Sequence, residues 1–434
     1  MSQNVFRKLI AIVAVGCGFA RAHAADSPSS STNVLTLNEA IGIALAQNPE
    51  LRASSGRVEA ASGRAYQARL WSNPELEFSA EEWPVSRGRR FSDAKQTIGV
   101  AQTLPFPGKK SLDRRIGSTG VKLSETELSL RRAELVRDVK AAFFQVLVAE
   151  RLVEAAGELV KIAQSSADTA RKRVEAGATS DQEQLRAEIQ LEQARTDLVG
   201  FQRELVAARQ GFVTLLGRPD LRDARLSGAL VESANTALLE QGPERWLAAH
   251  PSSVGARTAR DRAELELRRA RLEPYPDVKV GLGGGRLGET DKSIVELRFS
   301  IPLPLIDRAK GKKQEARANV SIAEAELTSI EQRLLREWGI ASQRFRAATE
   351  QVANYRERIL PKAERALELV RGGFEQGKFG FIDLLDTQRT TAEARLAYQQ
   401  KLLELNVAQA ELEALLAGSS EAPKPAEGSS SKPK

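Results

Sequence analysis

A seam of apolar residues, spaced alternately by four and three positions, runs through residues 111–174. This 3.5-residue period is typical of helices that supercoil left-handedly around one another. About 64 residues at 1.5 Å each predict a rod of roughly 95 Å, whereas the mean globular helix has about 11–12 residues. The chain must therefore fold around a long helix, which taken alone also fits a plain coiled-coil spacer. The seam consists of Leu135, Val139, Ala142, Val146, Ala149, Val153, Ala156, Val160, Ala163, Ala167, Ala170 and Val174.

A second seamed helix is predicted to return beside the first. The long helix should end at Gly177, because glycine is typical of helix C-termini, and Ser180 or Asp181 then offers an N-cap. Residues 181–216 carry a seam of their own, so the sequence predicts an antiparallel helical hairpin. That second seam consists of Ala187, Leu191, Ala194, Leu198, Phe201, Leu205, Ala208, Phe212 and Leu215.

The segment that follows the Ser-rich stretch 26–34 is also predicted to be helical. Thr36 and Glu39 have the spacing of a capping box, which opens a helix. Asn48-Pro49 interrupts that helix, since proline favours a helix boundary. The helical pattern then resumes as far as about Leu70.

The residues between that helix and the hairpin have strand periodicity. Around 75–81, Leu76 and Phe78 alternate with polar residues, which predicts a strand with one solvent-exposed face. A second strand is predicted over 95–104. It stops at Pro105-Phe106-Pro107-Gly108, where the long helix begins.

The whole arrangement recurs about 200 residues later, which indicates an internal duplication. Asn48-Pro49 recurs as His250-Pro251, and the strand pair recurs with its closing proline motif as Pro302-Leu303-Pro304. In the second long helix, Pro361 is expected to cause a kink. The recurring seam is Leu334, Trp338, Ala341, Phe345, Ala348, Val352, Tyr355, Ile359, Lys362, Ala366, Leu369 and Gly373.

These patterns predict five segments. Residues 1–24 form a signal peptide, 25–217 the first structural repeat, 218–241 a linker, 242–418 the second repeat, and 419–434 a disordered tail without apolar anchors.

The N-terminus has the pattern of a secretory signal. Arg7 and Lys8 precede an apolar run that is too short to span a bilayer, and Ala24 ends a small-x-small cleavage site. A weak lipoprotein box around Cys17 is the alternative, in which that cysteine would be acylated. Cleavage after Ala24 would leave a mature chain without cysteine and hence without disulfides.

Several function classes find little support in the sequence. No basic tract is interleaved with aromatic residues, so nucleic-acid binding is not indicated. No Ser or Cys has a recognisable nucleophile setting, and Gly283-Gly284-Gly285 precedes a second strand rather than a helix, so it is not a phosphate loop. The expected mature chain keeps one histidine, His250, predicted to lie at the surface, and no cysteine or methionine. A soft-metal site, an enzyme activity and a cofactor are therefore not predicted.

Strands of about ten residues have the length that crosses an outer membrane. Four strands cannot close a barrel, and lipid tolerates no open sheet edge, so several chains would have to share one barrel. Two chains would give eight strands and a filled interior, whereas three would give twelve and room to conduct. The alternative is a soluble four-stranded sheet on a helical stalk, as in a scaffold or adhesin. The residues expected to face lipid are Leu76, Phe78, Val278, Val280, Leu282, Val295, Leu297 and Phe299.

This order of elements, twice over, resembles the TolC-like outer-membrane efflux factors across residues 35–418. The resemblance implies a mainly α fold with a small β part. It further implies a homotrimer in the outer membrane of a Gram-negative bacterium, with a 12-stranded barrel on a periplasmic α-barrel. The implied partners are a periplasmic adaptor protein and an inner-membrane pump of the resistance-nodulation-division (RND) class.

Two sets of site residues follow from the resemblance. The hairpin tips that meet the adaptor correspond here to Gly177-Ala178-Thr179 and to Gly377-Lys378-Phe379, the second of which departs from the family motif. An acidic ring at the periplasmic aperture corresponds to Asp383 and Asp386, although an aspartate in a first helical turn is also favoured by the helix dipole.

The exported substrate is open at this point. The stretch Pro105-Phe106-Pro107-Gly108-Lys109 is similar to family members that serve heavy-metal pumps, but it also serves as a strand-to-helix connection. The predicted channel is equally compatible with multidrug efflux and with type I protein secretion.

Overall fold

The computed structural model describes residues 34–82, 94–233, 235–240, 242–288, 290 and 292–416. The predicted signal peptide, Cys17, residues 83–93 and the tail 419–434 lie outside the described residues. The first half contains β1 (Val34–Thr36), α1 (Leu37–Gln47), α2 (Pro49–Arg69), β2 (Glu75–Glu81), β3 (Lys95–Leu104), α3 (Lys109–Glu175), α4 (Asp181–Leu216) and β4 (Arg225–Ser227). The second half contains α5 (Pro243–Trp246), α6 (Pro251–Arg271), β5 (Val278–Leu287), β6 (Lys292–Ser300), α7 (Lys310–Asn354), α8 (Leu360–Glu375) and α9 (Phe381–Leu416).

Side-chain caps fix the start of each early helix. Thr36 and Glu39 form the predicted capping box, in which Glu39 Oε2 accepts from the Thr36 N–H at 2.8 Å. Asn48 Oδ1 accepts from the N–H groups of Glu50 and Leu51 and thereby caps α2. Asn48 Nδ2 also donates to Leu215 O at 2.9 Å, which ties the start of α2 to the end of α4.

The long helices pack through the predicted seams. The 67 residues of α3 make a rod of about 100 Å. Its buried seam residues pack on α4 in the first hairpin and on α9 of the second. The largest buried side chains of this core are Trp246, Phe143, Phe345, Leu216, Leu402, Leu405 and Leu412. The prediction of a mainly helical chain built on antiparallel hairpins is confirmed.

The second long helix is interrupted where the sequence places Pro361. A turn with π-helical hydrogen bonding, Tyr355–Ile359, separates α7 from α8. Proline lacks the N–H that would bond to the carbonyl four residues before it, so the regular ladder cannot pass this point.

The four longer strands form one antiparallel sheet in the order β2-β3-β5-β6. The two repeats therefore meet where β3 pairs with β5, and β2 and β6 are left as the two edges. A separate parallel pair joins β1 to β4 beside the helical core. Within the described residues, no helix has the length and apolar character that crossing a membrane would require.

Candidate functional site

One face of the four-stranded sheet is mainly apolar, with polar residues at Gln102 and in the end row of Gln96, Arg286 and Ser293. The strand register aligns Leu76, Val100, Leu282 and Leu297 in one row across all four strands. All eight residues predicted from the alternating pattern lie on this face, with Val278 and Val280 half-buried and the other six exposed. Ile98 and Val100 of β3 belong to the same face. They are not among the predicted residues, although they too alternate with small and polar residues.

The opposite face carries a set of paired charges. Arg298 on β6 donates to Glu77 on β2 at 3.0 Å and to Glu296 on its own strand at 2.7 Å. The same guanidinium donates to the hydroxyls of Thr97 and Ser79 at 2.8 and 3.2 Å. It therefore bridges two carboxylates and two hydroxyls. The charged residues of this face are Glu75, Glu77, Glu81, Lys95, Lys279, Lys292, Glu296 and Arg298.

Two of the lysines of this face are paired as well. Lys279 Nζ lies 2.8 Å from Glu75 and 2.6 Å from Glu77, and Lys95 Nζ contacts Glu296 and lies 3.6 Å from Glu81. Exposed ion pairs contribute only about 0–1 kcal/mol each. Their main effect is that each carboxylate of this face already has a cationic partner.

Small residues let these side chains cross the sheet. Arg298 and Glu77 are three strand spacings apart, about 14 Å in a flat sheet. The register places Gly281 and Gly283 of β5 and Ala101 of β3 between them. The Arg298 and Glu77 side chains therefore extend over glycine and alanine residues, which leave room for them.

The close backbone contacts at the glycines indicate that the charged face is concave. An added Cβ at Gly99 would lie 2.8 Å from Leu282 O, and one at Gly283 would lie 3.1 Å from Ile98 O. On the apolar face, an added Cβ at Gly284 would meet nothing nearer than 3.6 Å. Neighbouring backbones thus converge on the charged side, so the sheet curves with its apolar face outwards.

The first hairpin ends in a glycine turn, as predicted. Gly177 has a φ of +67°, a left-handed conformation that glycine adopts without strain. The Ala178 N–H donates to Arg173 O at 2.8 Å, which closes the last turn of α3. Thr179 follows in the connection to α4.

The second tip has the same turn with an added aromatic side chain. Gly377 has a φ of +72°, and the Lys378 N–H donates to Gly373 O at 2.8 Å. The Phe379 ring folds back against Gly373, where any Cβ would overlap it. This contact explains why a glycine stands in the seam at a position where the first repeat has Val174.

The two tips are packed together. Phe381 and Leu385 of α9 join a small buried cluster with Ala170 and Leu191 of the first hairpin. Arg173 lies over the Phe374 ring at 5.4 Å. The end of the molecule is therefore one unit of four helical segments.

Asp383 and Asp386 lie exposed on the other side of α9 from this cluster. Asp383 Oδ2 accepts from the Gly380 N–H at 2.9 Å and so caps the start of α9. Asp386 pairs with Arg389 at 3.4 Å. The first hairpin has Glu183 and Arg186 at the matched positions, so the two tips differ in charge.

The prediction that His250 lies at the surface is wrong. Only 4% of the residue is exposed, and its Nδ1 accepts from the Ser252 N–H at 3.1 Å. It caps α6 as Asn48 caps α2. Burial, with a contribution from Arg333, lowers the pKa of His250, because both disfavour the protonated ring.

The junction between the strands and the helices is a further region with specific contacts. We call residues 105–108 the β3 exit and residues 272–277 the β5 approach loop. Phe106 stacks on Tyr275 with ring centroids 4.8 Å apart, and its N–H donates to Asp277 at 2.8 Å. Lys109 is buried and donates to the same carboxylate at 2.9 Å. Burial alone would raise the pKa of Asp277, but Lys109 and the Phe106 N–H together hold it below its usual value.

A second ion cluster lies beside this junction. Glu273 accepts from Lys312 and Arg269, each at 2.7 Å, and these two cations lower the pKa of Glu273 to about 2. No group of three or more His, Cys, Asp or Glu side chains suited to a metal ion occurs among the described residues.

The chain matches the family model described as "Outer membrane efflux protein" over residues 40–218 and 243–418. It is 29% identical to the cobalt-zinc-cadmium resistance protein CzcC of Cupriavidus metallidurans over 376 residues, which cover 86% of this chain and 87% of that protein. It is 24% identical to the nickel and cobalt resistance protein CnrC of the same organism, covering 72% of each chain.

The fold is that of a solved structure. CusC, whose crystal structures record conformational changes accompanying folding and transmembrane channel formation, superposes with a TM-score of 0.76 at 18% identity. The match covers 88% of this chain and 91% of CusC.

Proposed function

The chain belongs to the outer membrane efflux protein family, whose members are passive channels rather than enzymes, and we propose that three copies form the exit duct of a tripartite efflux system. The TolC-like resemblance predicted from the sequence is thereby confirmed. In the proposed trimer, the sheets of three chains make a 12-stranded barrel in the outer membrane. The helical hairpins continue it as a tube in the periplasm.

The observation that carries this proposal is the sheet with one apolar face and one charged face. An apolar convex face suits lipid, and a charged concave face suits a water-filled lumen. One chain leaves β2 and β6 as open edges, which lipid does not tolerate. Three copies supply twelve strands and close a pore wide enough to conduct.

An unpartnered apolar stripe on α4 supports the same assembly. Leu185, Ile189, Val199 and Val206 are exposed and recur at coiled-coil spacing, away from the seam that α4 buries against α3. A neighbouring hairpin would cover this stripe in a closed ring of helices. Each repeat, 25–217 and 242–418, would then contribute one hairpin and two strands, joined by the linker 218–241.

The tips are the proposed contact with partner proteins. Family membership implies a periplasmic adaptor, which would dock on Gly177-Ala178-Thr179 and Gly377-Lys378-Phe379, and an inner-membrane RND pump behind it. The packed Phe379 ring makes the second tip a different surface from the first. The adaptor would therefore meet two unlike sites per chain.

Asp383 and Asp386 are proposed to form an acidic ring at the periplasmic aperture, six carboxylates in a trimer. Replacing both by asparagine should weaken block of the reconstituted pore by multivalent cations, with half-block at a roughly tenfold higher concentration, or about 1.4 kcal/mol. Asparagine at position 383 keeps an oxygen that can cap Gly380, so the helix start should survive.

The measurement is single-channel conductance in planar bilayers with added multivalent cations. A matched control changes Glu393 and Glu404, farther along α9, to glutamine and so makes the same change in charge. Unchanged block in the Asp383/Asp386 variant, or an equal loss of block in the control, would rule out the ring.

Heavy-metal cations are the proposed substrate. The relatives CzcC and CnrC are named for resistance to cobalt, zinc, cadmium and nickel. Selection among ions would lie with the pump, because the described residues offer no metal site. The paired carboxylates of the sheet suit this role, since a conduit works best when its cargo does not bind tightly on the way.

Deletion of the gene tests the proposal. The deletion strain should lose tolerance to cobalt, zinc and cadmium salts and keep its tolerance to organic antibiotics, and a plasmid copy should restore growth. Selective loss of antibiotic tolerance would instead indicate multidrug efflux, and an unchanged profile would favour protein secretion. Extraction of the protein without detergent would contradict the channel and favour a scaffold or adhesin.

A further inference from the structure

The connection from β6 to α7 exposes aliphatic side chains to solvent in a single chain. We call residues 301–309 the β6 exit. Its Leu305 N–H donates to Leu303 O at 2.9 Å, so this part of the segment has a defined conformation. An ordered segment that presents several aliphatic side chains to solvent indicates a contact surface. The exposed fractions are 72% for Leu303, 73% for Leu305 and 99% for Ile306.

The duplication indicates what covers this surface. The β3 exit is covered by the β5 approach loop, because β5, the first strand of the second repeat, lies beside β3. In a closed ring of copies, β6 of one chain would lie beside β2 of the next in the same antiparallel sense, since these strands are the two edges. The β6 exit would then meet residues 70–74 of the next chain, which we call the β2 approach loop.

The β2 approach loop is suited to such a contact. Trp71 is 59% exposed and lies next to Leu70, which is also exposed. Three hydrogen bonds hold this loop against β3 of its own chain, including one of 2.8 Å from Gln102 Nε2 to Ser72 O. The loop backbone is therefore fixed, while much of the Trp71 side chain stays exposed in one chain.

We propose that the β6 exit seats on the β2 approach loop of a second copy of this chain and seals the boundary between subunits, an inference that rests on the trimer of the proposed function. Leu303 occupies the place of Phe106, and Asn73 occupies the place of Tyr275. The second exit is also longer, because residues 305–309 follow its second proline where Gly108 alone follows that of the β3 exit. Leu305 and Ile306 lie in this added stretch and would reach the Trp71 side chain.

Paired cysteines test this contact in the full chain. Leu303→Cys combined with Asn73→Cys, treated with a short bis-maleimide in detergent, should give covalent species of two and three chains on a denaturing gel. The in-chain counterpart, Phe106→Cys with Tyr275→Cys, should lose both thiols without any gain in mass. Leu303→Cys with Phe78→Cys is the matched negative control, because Phe78 lies about 16 Å farther along β2 than Asn73.

The outcomes separate this inference from the proposed function. Crosslinked dimers and trimers in the Leu303/Asn73 variant, absent from each single-cysteine variant and from the Phe78 control, would support it. A single-chain band while light scattering still reports three copies per particle would overturn the contact and leave the channel intact. A particle of one chain under the same conditions would instead overturn the trimer itself.

Discussion

Arginine in place of Leu297 is expected to prevent the chain from assembling in the outer membrane. Leu297 lies near the middle of β6, on the convex apolar face. A charged side chain at mid-bilayer depth on the lipid side of a barrel costs about 2–4 kcal/mol. Each trimer would carry three such charges, so the effect should be close to all-or-none. The same reasoning applies to a charge at Val280 or Phe299, which share a row of the register.

The matched control is arginine at Ile294, which lies on the same strand but on the concave face. That variant should assemble, because its charge would face water. The measurement is the yield of heat-modifiable trimer in purified outer membranes, compared with the total protein. Assembly of both variants, or failure of Ile294→Arg alone, would mean that the apolar face is not the lipid face.

Alanine in place of Arg298 is expected to make the pore sensitive to divalent cations. The guanidinium now bridges Glu77 and Glu296, beside the hydroxyls of Ser79 and Thr97. Its removal would leave Lys279 and Lys95 as the cations beside these carboxylates and would open a space lined by oxygen atoms. Oxygen ligands bind hard and borderline divalent cations. A doubly charged ion gains about 2 kcal/mol from one carboxylate at 4 Å in water, so block should occur at a concentration at least about tenfold lower.

The readout is conductance of the reconstituted channel while zinc or cadmium is titrated from the outer side. Arg298→Lys is the control, since it keeps the positive charge between the two carboxylates and should retain low sensitivity. The sheet itself should survive the alanine, because exposed ion pairs contribute little stability. Identical block in the wild type and both variants would show that this face does not line the conduction path.

Local rules account for most of the helical architecture. The 3.5-residue seam fixes both hairpins, and the capping box at Thr36 and Glu39 appears as the sequence predicts. The strand bounds of β3 follow from alternation and from the proline motif behind it. In each case neighbours in sequence supply the determining interaction, so the pattern can be seen without the fold.

Features set by distant residues could not be predicted in this way. His250 is buried because Trp246 and the helical core cover it, although its sequence context suggests an exposed helix break. Phe379 folds onto Gly373, and neither residue indicates this on its own. Likewise, the contact of Arg298 with Glu77 depends on the strand order, which places β2 and β6 in one sheet. The acidic ring and the docking tips stay predictions, because they concern an assembly of several molecules.

The open edges at β2 and β6 have a genetic consequence. If the membrane wall is completed only by three chains, a defective subunit harms every assembly that it enters. A cell that makes equal amounts of intact and defective chains would form only about one wholly intact trimer in eight, given random mixing of subunits. Alleles that damage the wall while leaving the helical seams able to associate should therefore behave as dominant, whereas alleles that abolish expression should be recessive.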